Sequence, residues 1–401
     1  MRRMISLLLL LSGNCDREVV FPTGNSWGDP PLPAYAGQAR LAIPNYGDDT
    51  LAFVSVNAPD QPQLLGTANV GYKPLELEGP HRVVSTTDGR FLFFTLSNHV
   101  ANGGTGPHGL HGMGNVLGTL VKLDLRTNRP VGKVTLDRSP GNIALSPDGK
   151  LVFVSHNDTE RLNDQIAQNS PAEQGFSKVA IVDAETLELL AMKLVCPAIQ
   201  GLAVSPDGRQ LYVTCTLSDE LAVLDVSLPS QPQVVAKIPV GPSPGKPGTP
   251  SYAPYALRVH KSGAVWISNN KSADVRVFDP QTRQMDPAKI VPVGSMAMSA
   301  DFGTDGAGNQ NLYVPSQGND HVTAIDLATL KTRELSVPKE ACLSPQALQA
   351  LPQGGVAAVV CEGDHLLRKG SVVFLDLAAW KVRGFVETGL SSDGLVFLPP
   401  L

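Results

Sequence analysis

The sequence contains no apolar run long enough to cross a bilayer, which excludes a membrane-spanning helix. It has no basic stripe either. Lys and Arg number 32 against 37 Asp and Glu, the formal net charge is −5, and the signs are scattered, with no aromatic residues interleaved among basic ones. That pattern argues against nucleic acid as a partner. Neither H-E-x-x-H nor a P-loop occurs, so the usual zinc-hydrolase and phosphate-cradling signatures are missing. Without C-x-x-C-H there is no attachment site for a c-type haem. Aromatic residues make up only 5% of the chain, and there are five cysteines. What the 401 residues hold in quantity is glycine (38) and proline (33), a composition suited to many short strands joined by tight turns.

The stretch that shows this best is Gly201 to Cys215, GLAVSPDGRQLYVTC. Two short alternating apolar runs flank Ser205-Pro206-Asp207-Gly208. Proline there pre-sets the backbone, aspartate bonds its own main chain and glycine accepts positive φ, so the stretch reads as a β-hairpin. A Val/Leu-rich run, Leu221 to Val226, follows. The unit recurs within 83–136 (VVSTTDGRFLFFTLSN, TLVKLDLRTN) and 142–195 (NIALSPDGKLVFVSHND, KVAIVDAETLELL). It recurs again in 200–240, 256–293 (VWISNN, DVRVFDPQT), 298–337 (NLYVPS, HVTAIDLATL) and 347–387 (AAVVCEG, SVVFLDLAAW).

Each unit supplies four strands, A to D, with Asp124, Asp183, Asp225, Asp279, Asp326 or Asp376 closing the third. Those carboxylates are expected to bond turn backbone rather than a metal. Ala39 to Asn45, Leu51 to Val56 and Leu65 to Val70 give three strands without a first one, and Gly394 to Leu398 gives a first strand with nothing after it. Placed together they complete one more blade. The expected fold is therefore all-β: residues 39–401 form a seven-bladed β-propeller of four-stranded antiparallel blades, closed by the C-terminal strand joining the N-terminal blade. SPDGKLVFVSHND, SPDGRQLYVTC and SGAVWISNNKSADVRVFDPQT resemble the YVTN-repeat family of bacterial seven-bladed propellers. The resemblance implies the fold. It leaves the activity open, because propellers host many unrelated functions.

The N-terminus differs in kind. Arg2 and Arg3 precede the apolar run Met4 to Leu11, and Ser12-Gly13-Asn14-Cys15 follows, as in a secretory signal. Residues 1–15 resemble a bacterial lipoprotein signal, in which Cys15 becomes the lipidated first residue; a plain secretory signal is the alternative. The Pro-containing stretch 16–38 reads as a tether. The expected location is the bacterial cell envelope, periplasmic or outer surface, with a monomer touching membrane only through its N-terminal lipid anchor. With Cys15 set aside, Cys196 and Cys215 are 19 residues apart, and so are Cys342 and Cys361, at matching places in two units. Two local disulfides are expected, with a four-cysteine zinc site as the alternative.

In such blades the A–B and C–D turns share one face, and the B–C and D–A loops share the other. The insertions 98–118, 158–177, 241–254 and 362–370 all fall on the second face, where long loops on a rigid scaffold point to function. NHVANGGTGPHGLHGMGN carries His99, His108 and His111; His81 lies at the start of a strand A, and His156 ends a strand B. These five are candidate binding residues, since imidazole is both a common metal ligand and a proton carrier near neutral pH. The alternative is that they are solvated or backbone-bonded. Residues 158–177 read either as a solvated insertion or as a short amphipathic helix with Asp158, Glu160, Arg161 and Asp164 on its polar side. The channel-mouth positions are His81, Gly141, Gln200, Tyr255, Ala297, Gln346 and Asp393, a set poor in acids.

The leading functional expectation is an exported, lipid-anchored binding or scaffold module. It would present the 98–118, 158–177 and 241–254 loops to a protein or small-molecule ligand. No cofactor is required, a divalent metal on the histidines being the only candidate. The alternative is a propeller enzyme, lactonase-like or a metal-dependent hydrolase, at the channel mouth. A third reading is an accessory to a redox or haem protein.

Overall fold

The structure, a computed structural model, describes residues 37–72, 77–97, 116–364 and 367–401, together with the backbone of 99–101 and 111–113. Cys15 and the tether up to residue 36 lie outside the described residues.

Seven four-stranded antiparallel sheets form the blades, with an additional two-stranded pair, His99–Ala101 and His111–Met113, in the insertion of blade two. In blades two to seven the inner strand A is Pro80–Ser85, Pro140–Leu145, Ile199–Val204, Pro254–Val259, Asp301–Thr304 and Pro345–Ala350. Blade one is composite. From the rim inward it runs Leu64–Asn69, Thr50–Ser55, Arg40–Asn45 and then Val396–Leu398, with Leu398 opposite Arg40 and Val396 opposite Ala42. The orphan strand at the C-terminus thus closes the ring, three residues long where the sequence pattern suggested five.

The turn chemistry explains why the chain folds back so often. Ser205 Oγ donates to Asp207 Oδ1 at 2.6 Å, Gln210 N donates back to Ser205 Oγ at 2.9 Å, and Gly208 sits at φ 75°. Ser146, Asp148 and Gly149 repeat the arrangement in blade three. The six recurring aspartates each accept a backbone N–H of the turn they open, from Arg126 on Asp124 to Ala378 and Ala379 on Asp376. Between blades the packing is apolar. Phe153, Val179 and Ile181 of blade three, for example, meet Leu211, Val213, Ala222 and Leu224 of blade four.

Both disulfides form as the spacing suggested, Cys196–Cys215 and Cys342–Cys361, with Cα atoms 5.8 and 5.4 Å apart. Cys196, however, is the last residue of the outer strand of blade three, Leu189–Cys196, while Cys215 ends strand B of blade four, Gln210–Cys215. That bond therefore staples two blades. In blade three the 158–177 insertion contains a helix, α1 (Thr159–Gln168), capped by Asp158 and ended by Asn169 in the left-handed region. It is tied down rather than simply solvated: Arg138 and Arg161 both pair with Asp158, Arg161 and Lys178 both reach Asp137, and Leu162 is buried.

Candidate functional site

One local pattern builds the axis. The strand A of each blade is entered through a residue with φ between 50° and 61°, namely Gly79, Ser139, Ala198, Ala253, Met296, Ser344 and Ser391. The carbonyl of each accepts the N–H of the residue that follows strand B, in order Ser97, Asn157, Thr216, Asn270, Gln317, Glu362 and Tyr46. Two residues past each left-handed position the chain reaches the axis, at His81, Gly141, Gln200, Tyr255, Met298, Gln346 and Asp393. The equivalent position in blade six is Met298, not Ala297; Ser295-Met-Ala-Met-Ser carries no turn residue that marks the register.

Four members of this layer form a connected, buried polar group. His81 Nε2 lies 3.0 Å from Asp393 Oδ2, with both side chains under 5% exposed. Gln346 Nε2 donates to Asp393 Oδ1 at 2.9 Å and is 3.2 Å from Tyr255 Oη. Arg82 donates from Nη1 to the Asp393 carbonyl at 2.7 Å, and its Nη2 sits 3.3 Å from Asp393 Oδ1. A carboxylate taken this far out of water persists only with such charged and hydrogen-bonded partners. The Tyr46 ring stands edge-on to His81, and burial, followed by the nearby Asp393 charge, raises its phenol above the ordinary value. Burial raises the Tyr255 phenol as well.

Above this layer, on the face of the B–C and D–A loops, lies the second ring. Asn157, Thr216, Asn270 and Gln317 are half-buried there, and Glu362 is buried. Gln317 donates to Glu362 Oε2 at 2.6 Å, and its own Oε1 has no hydrogen-bond partner among the described residues. Thr216 Oγ1 donates to the Pro254 carbonyl at 2.8 Å. The rim thus carries amides, hydroxyls and the Glu362 carboxylate around a central imidazole–carboxylate pair. Such a set can hold a polyol by hydrogen bonds and move a proton at the centre.

The five candidate histidines do not share one environment. His81 is the axial residue just described. His156 is buried off the axis, Nδ1 facing the Lys178 carbonyl at 3.0 Å, and desolvation holds its imidazole down at about 4. His99 and His111 lie on the small paired strands, and His108 is outside the described residues. The loop 241–254 is organised by Asp219, which is fully buried and accepts backbone N–H groups from Gly245, Ser251, Tyr252 and Ala253. Within it, Gly241 to Gly245 spells G-x-S-x-G, but it joins strands rather than a strand to a helix, and Ser243 is exposed with no base beside it among the described contacts. This is not a nucleophile elbow. The same spelling at Gly24 to Gly28 lies outside the described residues. Sequence reading missed Arg82, Asp219, Gln317 and Glu362. The ring after strand B was in principle visible, since each member follows the repeated strand directly.

The family model described as SMP-30/Gluconolactonase/LRE-like region matches residues 130–318. No curated protein matches the chain. Among solved structures, the periplasmic gluconolactonase of Pseudomonas aeruginosa is 16% identical, with a TM-score of 0.63 over 90% of this chain and 99% of that one. A putative 6-phosphogluconolactonase from Bacteroides uniformis is 12% identical, with a TM-score of 0.64 and the same coverage of both chains. Hydrazine synthase from Kuenenia stuttgartiensis is 18% identical, with a TM-score of 0.57 over 80% of this chain and 91% of that one. At these identities the likeness is one of fold.

Proposed function

We propose that the protein is a hydrolase of small polyhydroxylated lactones, acting at the looped-face end of the propeller axis. The observation that carries the reading is the His81–Asp393 pair at the centre of a ring of amides and hydroxyls. With Asp393 beside its Nε2, His81 is the candidate base. It would take a proton from water as the water oxygen attacks the lactone carbonyl. The ring C–O bond then breaks, and the departing alkoxide receives the proton back, so the imidazole ends as it began. Asp393 orients the ring and stabilises its charged form. Arg82 and Gln346 in turn hold Asp393. The likeness to gluconolactonases, both in the family model and in the fold, supports this chemistry over a purely scaffolding role. The proposal assigns the step to the side chains of the axial layer. Export belongs to the same proposal, because two buried disulfides suit an oxidising compartment and Cys15 suits a lipid anchor.

The test is pH-stat titration of glucono-δ-lactone and related aldonolactones with purified protein. Hydrolysis should exceed the spontaneous rate, and His81→Gln should lower the enzymatic rate by about a hundredfold or more, the usual worth of a positioned base. Equal rates for His81→Gln and wild type would sink the assignment.

A further inference from the structure

Below the buried layer the axis opens again. A cavity of about 260 Å³ runs toward the A–B turns, lined by the inner strands of all seven blades. Its floor and walls are small or apolar, with Gly201, Ala256, Ala300, Ala347, Leu348 and Leu395 among them. Its polar side chains are few and mostly donors, while backbone groups supply much of its polar surface. Arg82 is 5% exposed and lies against the cavity over Gly394, where a Cβ would meet Arg82 Cδ at 3.3 Å. Arg82 Nε has no hydrogen-bond partner among the described residues, and neither has Asn142 Nδ2. At the outer end Arg258 bonds the Ala300 carbonyl through Nε at 3.0 Å and lies 3.5 Å from Asp301, while its side chain is 49% exposed. Gln349 spends its carbonyl oxygen on Phe397 N at 2.8 Å, which leaves its amide as a donor.

We propose that this cavity is a second ligand site, separate from the His81–Asp393 pair, and that it takes a small hydroxy-carboxylate. A carboxylate suits a guanidinium fork at either end, each of which keeps donors beyond those its own aspartate uses. Hydroxyls suit Asn142, Ser299 and Gln349, and the apolar wall suits the C–H face of a short carbon chain. The volume equals that of about nine liquid waters, enough for an acid of sugar size. The ring-opened product of the reaction proposed above belongs to this class, so in identifying the ligand class the inference leans on that reading; the site itself does not. Because Arg82 touches both the cavity and Asp393, occupancy below would tug on the carboxylate that holds His81.

Isothermal titration with gluconate, against glucitol as the uncharged counterpart, tests it. Gluconate should bind at millimolar concentration or better and glucitol should not. Arg258→Gln and Asn142→Leu should each weaken gluconate by about tenfold, the equivalent of ~1.4 kcal/mol. Each variant is checked by its melting temperature for a folded state, and each should still hydrolyse lactone. No gluconate binding, equal binding of glucitol, or unchanged affinity in both variants would overturn the proposal. Gluconate binding lost in Arg258→Gln but with no lactone hydrolysed by wild type would leave the cavity site standing and remove the hydrolase reading. Hydrolysis without gluconate binding would do the reverse.

Discussion

The two layers stacked along the axis solve the same problem in opposite ways. In the upper layer, Asp393, His81, Arg82, Gln346 and Tyr255 are almost wholly buried, and the carboxylate accepts a hydrogen bond from Gln346 and pairs with His81 and Arg82. In the lower one, donors are left open to a cavity and the walls are small. A buried charge needs partners supplied by the fold or by a ligand. The upper layer has the first kind and is part of the structure. The lower has room for the second kind and is a receptacle. A centre held by its own ion pairs beside one with open donors, Arg82 belonging to both, is the arrangement expected where one set of groups positions and another receives.

The comparison breaks most completely if the layer loses its anchor. Deleting residues 393–401 removes Asp393 and the strand that closes blade one, and it exposes a sheet edge toward the axis. We expect loss of cooperative unfolding, or aggregation, on gel filtration and thermal melting; an unchanged melt would show that the ring holds without its clasp. A smaller break is Asp393→Leu, which leaves Arg82 and His81 buried beside an apolar group. Removing one partner of a buried charge pair should cost about 3–5 kcal/mol in denaturant titration, and Asp393→Asn, which keeps the shape and part of the hydrogen bonding, distinctly less. Equal losses for the two would place the effect in packing rather than charge.

His156 sharpens the contrast, being buried without an acid in its grip. Its folded value of about 4 lies below the ordinary 6.5 because desolvation disfavours the charged ring. The sign follows. Above pH 6.5 both folded and unfolded chains carry it neutral and its contribution is fully present; as the pH falls toward 4 the unfolded chain takes the proton first and stability is lost. The loss approaches ~3 kcal/mol, about 1.4 kcal/mol for each unit of pKa difference. His156→Gln, which keeps a donor for the Lys178 carbonyl, should flatten the fall in melting temperature between neutral and acid pH. An unaltered pH slope would mean that other groups govern it.

Much of this was legible in the sequence, and the reason is local. Turn chemistry such as Ser-Pro-Asp-Gly is read within four residues, and strands alternate visibly between such turns, so the blades, the clasp and both disulfides could be named. The axis was less legible because it is assembled one residue per blade. His81, Tyr255, Gln346 and Asp393 are far apart in the chain, and their meeting depends on a register that slipped by one at Met298. The histidines were grouped by their places at the loops and strand ends of one face, and among them the strand places His156 in the interior and His81 on the axis. Arg82, next to His81, was passed over because nothing in a single repeat shows which blade its side chain will reach.

The hydroxyls of Thr95, Ser155 and Thr214 each donate to a carbonyl of the following blade, at Gly141, Gln200 and Tyr255. Across the next-but-one seam Ser299 N donates to the Gln346 carbonyl and Leu348 N to the Ser299 carbonyl, Gln346 joins Asp393 across the one after, and Arg82 joins Asp393 across the last. Between blades five and six, Arg258, half-exposed, bonds the Ala300 carbonyl, and an amide of Asn270 faces the sulfur of Met298 at 3.4 Å. Every seam of the ring is thus crossed by at least one hydrogen bond near the axis, and Tyr255, Ala256 and Met298 add apolar packing between blades five and six. A ring tied at every seam offers no ready joint at which to part, so opening it anywhere would cost at least one of these bonds.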